Sequence, residues 1–349
     1  MWQNLKVVEL ASVLAGPLVG SFFAELGASV IKVENKLLGG DVTRSWKLSS
    51  EDPNSKVSAY YAAANFGKES IFLDFTNAAD YQTVLDLVQS ADIVIQNFKP
   101  GDDLKLKLEA KRLLKLNPKL IVGCINGFGK ESTRQAFDVV LQAETGFMYM
   151  NGTPDSGPVK MPVALIDILA AHHLKEAILI ALIERGQNGK GQILHISLYD
   201  VAIASLANQA NNWLMNQHIP QAMGTQHPNI APYGDLYKTK DDKLLVLAIG
   251  SDKHFKLLCE TLEIALPIQK EFETNVARVN NREKLNQQIS AKISRYSSEK
   301  ISEVFFEKKL PFGIIKDLKE VFESPNAQKM ILKSSINGAK CTTIKTLIR

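Results

Sequence analysis

Apolar residues recur with two different spacings along the chain, and the order of the two spacings predicts an α/β fold. Short apolar runs rich in Val and Ile have the length of buried strands, and they occupy 6–10, 28–33, 70–74, 91–95 and 120–123. Helical periodicity and glycine-containing turns fill the intervals. Repeated alternation of strand and helix predicts a mainly parallel, Rossmann-like sheet with helices on its faces.

The same spacings divide the chain of 349 residues into two domains. A long apolar helix is predicted from about Ile166 to Glu184, and a strand follows at 192–197. A stretch rich in His, Pro and Gly then precedes a further apolar strand. We therefore predict a large Rossmann-like domain at 1–198 plus 325–349 and a linker at 199–224. A smaller α/β or α+β domain follows at 225–310, with a return linker at 311–324.

Composition and charge argue against several classes of partner. The chain is 45% hydrophobic and 22% charged, which is typical of a globular protein, and a net charge of +4 is too small for the basic surface of a nucleic-acid binder. No apolar run approaches the ~20 residues that span a bilayer. Cys124, Cys259 and Cys341 form no CxxC pair and no Cys/His cluster. We therefore expect a cytoplasmic protein with no nucleic-acid partner, no membrane partner and no metal.

Motifs of other enzyme classes are incomplete or absent. The run 127–132 ends as GxGxxS and lacks the third glycine of the dinucleotide fingerprint, while no Ser or Thr follows Lys190, as a phosphate-binding GxxxxGK[ST] loop requires. His172 and His173 point about 100° apart on a helix, which does not suit an HExxH zinc site. The sequence contains no GxSxG elbow. These gaps argue against nicotinamide chemistry, nucleotide-driven chemistry and the simplest hydrolase mechanisms.

Several segments carry more specific information than these patterns. They lie at 13–17, 26–34, 40–44, 65–74, 91–101 and 137–146, with further matches at Asp167, 185–192, 227–233 and, weakly, 311–313. In this order and at this spacing they resemble the class III CoA-transferases, a family that also contains acyl-CoA racemases. The resemblance covers nearly the whole chain and is weaker after residue 250. It implies an enzyme that moves coenzyme A from an acyl-CoA to a carboxylic acid, with acyl-CoA as a substrate and no permanently bound cofactor.

The resemblance assigns the central chemical role to Asp167. This residue matches the family's nucleophile, whose carboxylate attacks the acyl thioester and then carries CoA as an aspartyl thioester. Without the resemblance, Asp167 is equally a carboxylate at a helix start, held by backbone N–H groups and the helix dipole. Asp138 aligns with an acid that assists the nucleophile, and the alternative for it is a capping or surface aspartate.

Candidate coenzyme contacts follow from the same match. Phosphates require cations or N–H donors, and adenine prefers an apolar slot. The matching positions are Lys36, Lys68, Asn97, Phe98 and Lys105. Lys36 and Lys105 stand where formyl-CoA transferase has arginine, so the charge is kept while the bidentate hydrogen bonding is lost. For Lys105 the alternative is the solvated face of an amphipathic helix.

Three positions depart from the family pattern. Phe137 stands where the racemases have a histidine beside the acid, which favours CoA transfer over racemisation. Leu14 replaces a glutamine of formyl-CoA transferase and Ala171 replaces a glycine, so a formyl-specific activity is not expected. An acyl-CoA racemase or epimerase, and a CoA-binding protein without catalysis, stay open as alternatives. The donor and acceptor acids also stay open, and the resemblance implies an interlocked homodimer.

Overall fold

The computed structural model describes residues 2–265 and 269–348. Contacts divide the chain into two compact units. The first unit takes in the chain up to Met148, Lys160–Pro220 and the chain from Lys329 onwards, and the second takes in Tyr149–Val159 and Gln221–Gln328. Each unit has a buried core of its own.

A parallel sheet forms the centre of the first unit. Its strands are β1 (Lys6–Glu9), β2 (Ser29–Asn35), β3 (Glu69–Leu73), β4 (Ile93–Gln96), β5 (Ile121–Asn126) and β6 (Gln192–Ser197). They lie in the order β3-β2-β1-β4-β5-β6, and every neighbouring pair is parallel. This confirms the predicted α/β class. In such doubly wound sheets ligands bind outside the carboxyl ends of the strands where the order reverses, which here is between β1 and β4.

Helices fill the connections between these strands and follow the last one. They are α1 (Ala15–Glu25), α2 (Ala59–Asn65), α3 (Ala78–Ser90), α4 (Asp102–Lys105), α5 (Ala110–Leu116), α6 (Asp138–Glu144), α7 (Phe147–Met150), α8 (Leu165–Asn188), α9 (Leu198–Ala204) and α10 (Ala207–Asn216). Short 3₁₀ turns lie at Trp2–Asn4, Lys36–Leu38 and Val42–Ser45.

Helices bury both faces of the sheet. On β1, Val7 belongs to a core cluster shared with α1 and α8, whereas Val8 belongs to a second cluster shared with α3 and α5. Alternate side chains of a strand point to opposite faces, so a strand covered on both sides is apolar at most positions. The buried charges of β1 and β2 are exceptions, and two of them, Glu9 and Lys32, form an ion pair.

The second unit is built around an antiparallel sheet. Its strands are β7 (Tyr233–Lys238), β8 (Leu244–Ala248) and β9 (Phe312–Ile314), in that order across the sheet. Its helices are α11 (Asp252–Leu262), α12 (Asn275–Asn280), α13 (Arg282–Ile293), α14 (Ser298–Glu307), α15 (Leu318–Phe322) and α16 (Pro325–Gln328), with a 3₁₀ turn at Lys270–Phe272. A hairpin of β10 (Ile331–Ile336) and β11 (Ala339–Ile344) returns to the first unit and contacts α2.

The predicted domain bounds stay a prediction, and two of the segments assigned to linkers carry packed structure. Within 199–224, α9 packs on α6 and α8 and belongs to the first unit. Within 311–324, β9 pairs with β8 and belongs to the second unit. Across residues 2–265 and 269–348, no helix is long and apolar enough to cross a membrane, and no His, Cys, Asp and Glu cluster is arranged to hold a metal ion.

Candidate active site

Asp167 lies in the first turn of α8 with its carboxyl group largely removed from water. Its neighbours Ile166 and Ala170 are fully buried, and Asp167 itself is only 9% exposed. Ala164 precedes the helix and has no side-chain acceptor for the free N–H groups of the first turn. No hydrogen bond to the Asp167 carboxylate comes from the described part of the chain.

This environment changes the acidity of Asp167. Burial raises its pKa to about 7, and the charge of Asp138 adds to the rise. Protonated and ionised forms are therefore both present near neutral pH. The ionised form is poorly hydrated and has no donor to stabilise it, which favours nucleophilic attack.

Asp138 supplies the cap that α8 lacks. It is the first residue of α6, and its Oδ2 accepts hydrogen bonds from the backbone N–H of Ile166 at 2.7 Å and of Asp167 at 3.4 Å. Such an acceptor usually comes from the residue that precedes the helix, whereas here it comes from a position 28 residues earlier than Ile166. The structure thus brings the two predicted acids together, and Asp138 both caps α8 and places a negative charge beside Asp167.

A buried glutamine that the sequence analysis did not single out holds Asp138. Gln142 is fully buried, its Nε2 donates to Asp138 Oδ1 at 2.5 Å, and its Oε1 accepts from the backbone N–H of Met161 at 2.7 Å. One signal for it was present in the sequence, because residues four apart on a helix lie on the same face. Gln142 therefore links α6 to the segment that leads into α8.

Tyr60 on α2 is a third titratable group of the site. Burial raises its pKa, and the charges of Asp167 and Asp138 raise it further, which places the phenol close to both acids. Trp46 packs edge-on against Tyr60 with ring centroids 5.1 Å apart. No sequence pattern identified these rings, because an aromatic pair formed between a loop and a helix has no characteristic spacing. Tyr60 thus brings a phenol close to the two carboxyl groups, and Trp46 packs against its ring.

Two polar side chains fix the loop between β1 and α1, where the strand order reverses. Asn97 accepts a hydrogen bond from the N–H of Ser12 at 2.9 Å and donates to its carbonyl at 2.8 Å. Asp41 accepts from the N–H of Val13 at 3.2 and 3.3 Å. Val13 has a φ of 71°, a strained conformation for a β-branched residue, and these bonds help to hold it. Asn97, predicted to contact the coenzyme, is thus tied to backbone at the ligand-binding edge of the sheet.

A buried charge network supports Asp41. Lys32 Nζ lies 2.9 Å from Glu9 Oε1 and 3.0 Å from Asp41 Oδ2, and Lys68 Nζ lies 2.7 Å from Glu9 Oε2. Lys68 also donates to two backbone carbonyls, its side chain has no exposed surface, and burial lowers its pKa to about 8. The predicted contact of Lys68 with the coenzyme stays a prediction, and in this arrangement its ammonium is bound within the network.

The remaining predicted coenzyme residues follow the carboxyl ends of β2 and β4. Lys36 is exposed in the 3₁₀ turn directly after β2, beside the exposed Leu37. Phe98 is half-buried against the core cluster shared with α3 and α5. Lys105 is exposed at the end of α4 and pairs with Asp102 at 3.1 Å. Since β2 and β4 both flank β1, the two lysines lie at the same edge of the sheet.

The three positions that depart from the family pattern, Phe137, Ala171 and Leu14, all carry apolar side chains. Phe137 precedes Asp138 and is 53% exposed, so it puts no titratable side chain beside that acid. Ala171 follows Asp167 by about one helical turn and is buried in the core cluster shared with α1. Leu14 is half-buried immediately before α1.

Comparisons with known proteins cover nearly the whole chain. The family described as CoA-transferase family III matches residues 3–347. A protein from Agrobacterium fabrum named succinate–glutarate CoA-transferase is 38% identical over 98% of this chain and 86% of its own length, and a Mus musculus protein named succinyl-CoA:glutarate CoA-transferase is 31% identical over 92% and 73%. A crystal structure of a CAIB/BAIF family protein from Brucella suis has a TM-score of 0.84 at 37% identity, over 100% of this chain and 92% of that one.

Proposed function

Because this chain belongs to CoA-transferase family III, we propose that it moves coenzyme A from an acyl-CoA donor to a carboxylic acid acceptor through a thioester on Asp167. One observation carries the assignment of the nucleophile. Asp167 is a buried carboxyl at the start of α8 whose pKa is raised to about 7 and whose ionised form has no hydrogen-bond donor. Such a carboxylate gains more from bonding to an acyl carbon than a hydrated one would.

The reaction proceeds by exchange of one thioester for another. The Asp167 carboxylate attacks the acyl carbon of the donor, the carbon–sulfur bond breaks, and CoA leaves as a thiolate while a mixed anhydride forms. The thiolate then attacks the Asp167 carbonyl carbon, which releases the donor acid and leaves CoA on Asp167. The acceptor carboxylate repeats the two steps in reverse and restores the Asp167 carboxylate. Because a thioester is present at the start and at the end, the exchange is close to neutral in energy.

The coenzyme is proposed to bind at the carboxyl ends of β2 and β4. Lys36 and Lys105 provide the cations for its phosphates, and both are exposed there. Asn97 and Phe98 follow β4 and shape the edge on which the coenzyme lies. Lys68 acts indirectly, since it neutralises Glu9 within the network that supports Asp41.

Dicarboxylic acids are the proposed substrates. The names of two relatives at 38% and 31% identity, succinate–glutarate and succinyl-CoA:glutarate CoA-transferase, refer to four- and five-carbon diacids. We therefore propose succinyl-CoA as a donor and a short dicarboxylate such as glutarate as an acceptor. Phe137 brings no base to Asp138, which disfavours racemisation at the α-carbon.

The proposed assembly is a homodimer in the cytoplasm. The expectation of an interlocked dimer comes from the family. A dimeric mass by light scattering supports it, and a monomeric mass at micromolar concentration excludes it. The cysteines Cys124, Cys259 and Cys341 are free and buried, which agrees with a reducing compartment.

The decisive experiment traps the covalent intermediate. Intact-protein mass spectrometry after incubation with succinyl-CoA should reveal a CoA adduct that hydroxylamine removes and that peptide mapping places on Asp167. Asp167→Asn, which keeps the shape of the side chain, should form no adduct while still binding CoA. If wild type binds CoA and forms no adduct with a panel of acyl-CoAs, the transferase mechanism is wrong. Deuterium uptake at the α-carbon without CoA transfer would instead identify a racemase.

A further inference from the structure

Gln142 occupies the centre of a chain of hydrogen bonds that ends on α8. The backbone N–H of Met161 donates to its Oε1, and its Nε2 donates to Asp138 Oδ1. The other oxygen of Asp138 accepts from the N–H groups of Ile166 and Asp167. Gln142 has no exposed surface and Asp138 is 9% exposed, so water competes little for these contacts. The amide uses its acceptor and one of its donors in fixed directions.

From this geometry we infer that Gln142 is a positioning residue for CoA transfer, which keeps the Asp138 carboxyl group directed at the first turn of α8. The inference rests on the proposed role of Asp167. The Gln142 amide donates to one oxygen of Asp138 and so fixes the rotation of its carboxyl group. With that oxygen held, the second oxygen faces the N–H groups of Ile166 and Asp167. Gln142 thereby sets the position of the first turn of α8, which carries Asp167.

Only a neutral amide meets both demands of this position at every pH. Met161 requires an acceptor and Asp138 requires a donor. A glutamate has the same shape, but it can donate only while it carries a proton. Two facing carboxyl groups share one proton and repel each other once it is lost. Gln142→Glu should therefore behave like wild type at low pH and fail as the pH rises.

Other titratable groups surround the pair of Gln142 and Asp138, and none of them is altered by a substitution at position 142. Asp167 faces it from α8, and Tyr60 faces it from α2, where Asp41 also acts on the phenol. On α9, which packs on α6, the titratable side chains are Tyr199 and Asp200. On α6 itself the further acid is Glu144, which is paired with Arg134. Their contributions are common to wild type and variants, so a difference between pH profiles reports on position 142.

The chain contains a matched control for the same pair of groups. On α3, Gln82 Nε2 donates to Asp86 Oδ1 at 2.8 Å, also four residues apart, and this pair is exposed. Gln82→Glu therefore adds the same charge next to an aspartate, but in water and away from the site. It is expected to leave the pH profile of the reaction as in wild type.

The test measures the rate of adduct formation with succinyl-CoA from about pH 5.5 to 9. Gln142→Glu should follow wild type at the acid end and then fall by about tenfold per pH unit once the pair loses its proton. Gln142→Met removes the donor to a charged group and should slow adduct formation roughly 10- to 100-fold at every pH. Calorimetric CoA titrations and thermal melts on the same samples separate these effects from loss of folding.

Each outcome supports or overturns the inference about Gln142. A Gln142→Glu profile that parallels wild type up to pH 9 overturns the inference, as does a Gln142→Met variant that is merely less stable and reacts at the wild-type rate. If Gln142→Glu does not fold, the Gln142→Met rate decides alone. If wild type itself forms no adduct, the proposed function fails first and the inference fails with it. A wild-type adduct combined with unchanged variants rejects the inference and leaves the function standing.

Discussion

Replacing Asp167 by Asn should abolish CoA transfer and at the same time stabilise the folded protein. Burial and the charge of Asp138 raise the pKa of Asp167 from 3.8 to about 7. An acid with a raised folded-state pKa holds its proton more tightly when folded, so its ionisation destabilises the folded state as the pH rises from about 4 to 7. Asparagine has a similar shape and no charge at any pH. The variant is therefore free of this penalty.

The size of the effect follows from the shift. One pKa unit corresponds to about 1.36 kcal/mol, and the shift of Asp167 from 3.8 to about 7 spans roughly three units. Asp167→Asn should then raise the free energy of unfolding by about 4 kcal/mol at pH 8 and by about 2 kcal/mol at pH 5. At about pH 3 and below, where Asp167 is mostly protonated in both states, the two proteins should be about equally stable.

The assay is urea denaturation of wild type and variant at matched concentrations between about pH 5 and 8. The difference in unfolding free energy should increase with pH, because only the ionised form destabilises the protein. Asp155→Asn, at an exposed aspartate in the second unit, is the control and should show no such trend. Equal stability of wild type and Asp167→Asn at pH 8, or a difference that is independent of pH, would refute the reasoning about burial.

Three further predictions concern the pH range, the buried network and the coenzyme. The rate of adduct formation in wild type should fall about tenfold per pH unit below pH 7, since only ionised Asp167 attacks, and a constant rate from pH 5 to 8 would contradict its assignment. Lys68→Met should lower the melting temperature strongly, because breaking a buried ion pair is destabilising by about 3 kcal/mol or more. An unchanged melting temperature combined with weaker CoA binding would instead indicate that Lys68 contacts the coenzyme. Lys36→Ala and Lys105→Ala should leave the melting temperature nearly unchanged and raise the Kd for CoA severalfold at low salt, as measured by titration calorimetry. An unchanged Kd would show that these lysines do not bind the coenzyme.

The fold could be predicted where burial leaves a periodic record in the sequence. Strands covered on both faces, such as β4 and β5, are short apolar runs rich in Val and Ile and were found. The hairpin β10–β11 was missed because its first strand carries exposed Lys and Ser side chains and packs on one side only. Its turn, Asn337-Gly338, with φ values of 50° and 81°, was the available signal, since this dipeptide favours a two-residue hairpin loop.

The site could be predicted only in part, because its contacts join distant segments. Asp167 and Asp138 were singled out through motifs, and their catalytic roles stay a prediction. The structure brings them together, since the N–H of Asp167 donates to Asp138 Oδ2. For Lys68 the motif predicts a coenzyme contact, which stays a prediction, and it gave no sign of the ion pair that this side chain makes. Its ammonium pairs with Glu9, 59 residues earlier, and a local pattern cannot reveal this. Tyr60 was missed for the same reason, as the charges that act on it come from α6 and α8.

Burial raises the pKa of Asp167, and the way in which the start of α8 is capped adds to the rise. A carboxylate in the first turn of a helix normally accepts from the free N–H groups and gains from the helix dipole, and both effects lower its pKa. Here Asp138 accepts from those N–H groups, including the one that belongs to Asp167, so the donors are already used. Its negative charge also opposes ionisation of Asp167. The use of a second acid as the cap thus removes the donors that would stabilise an ionised Asp167, and this is the state that the proposed nucleophile requires.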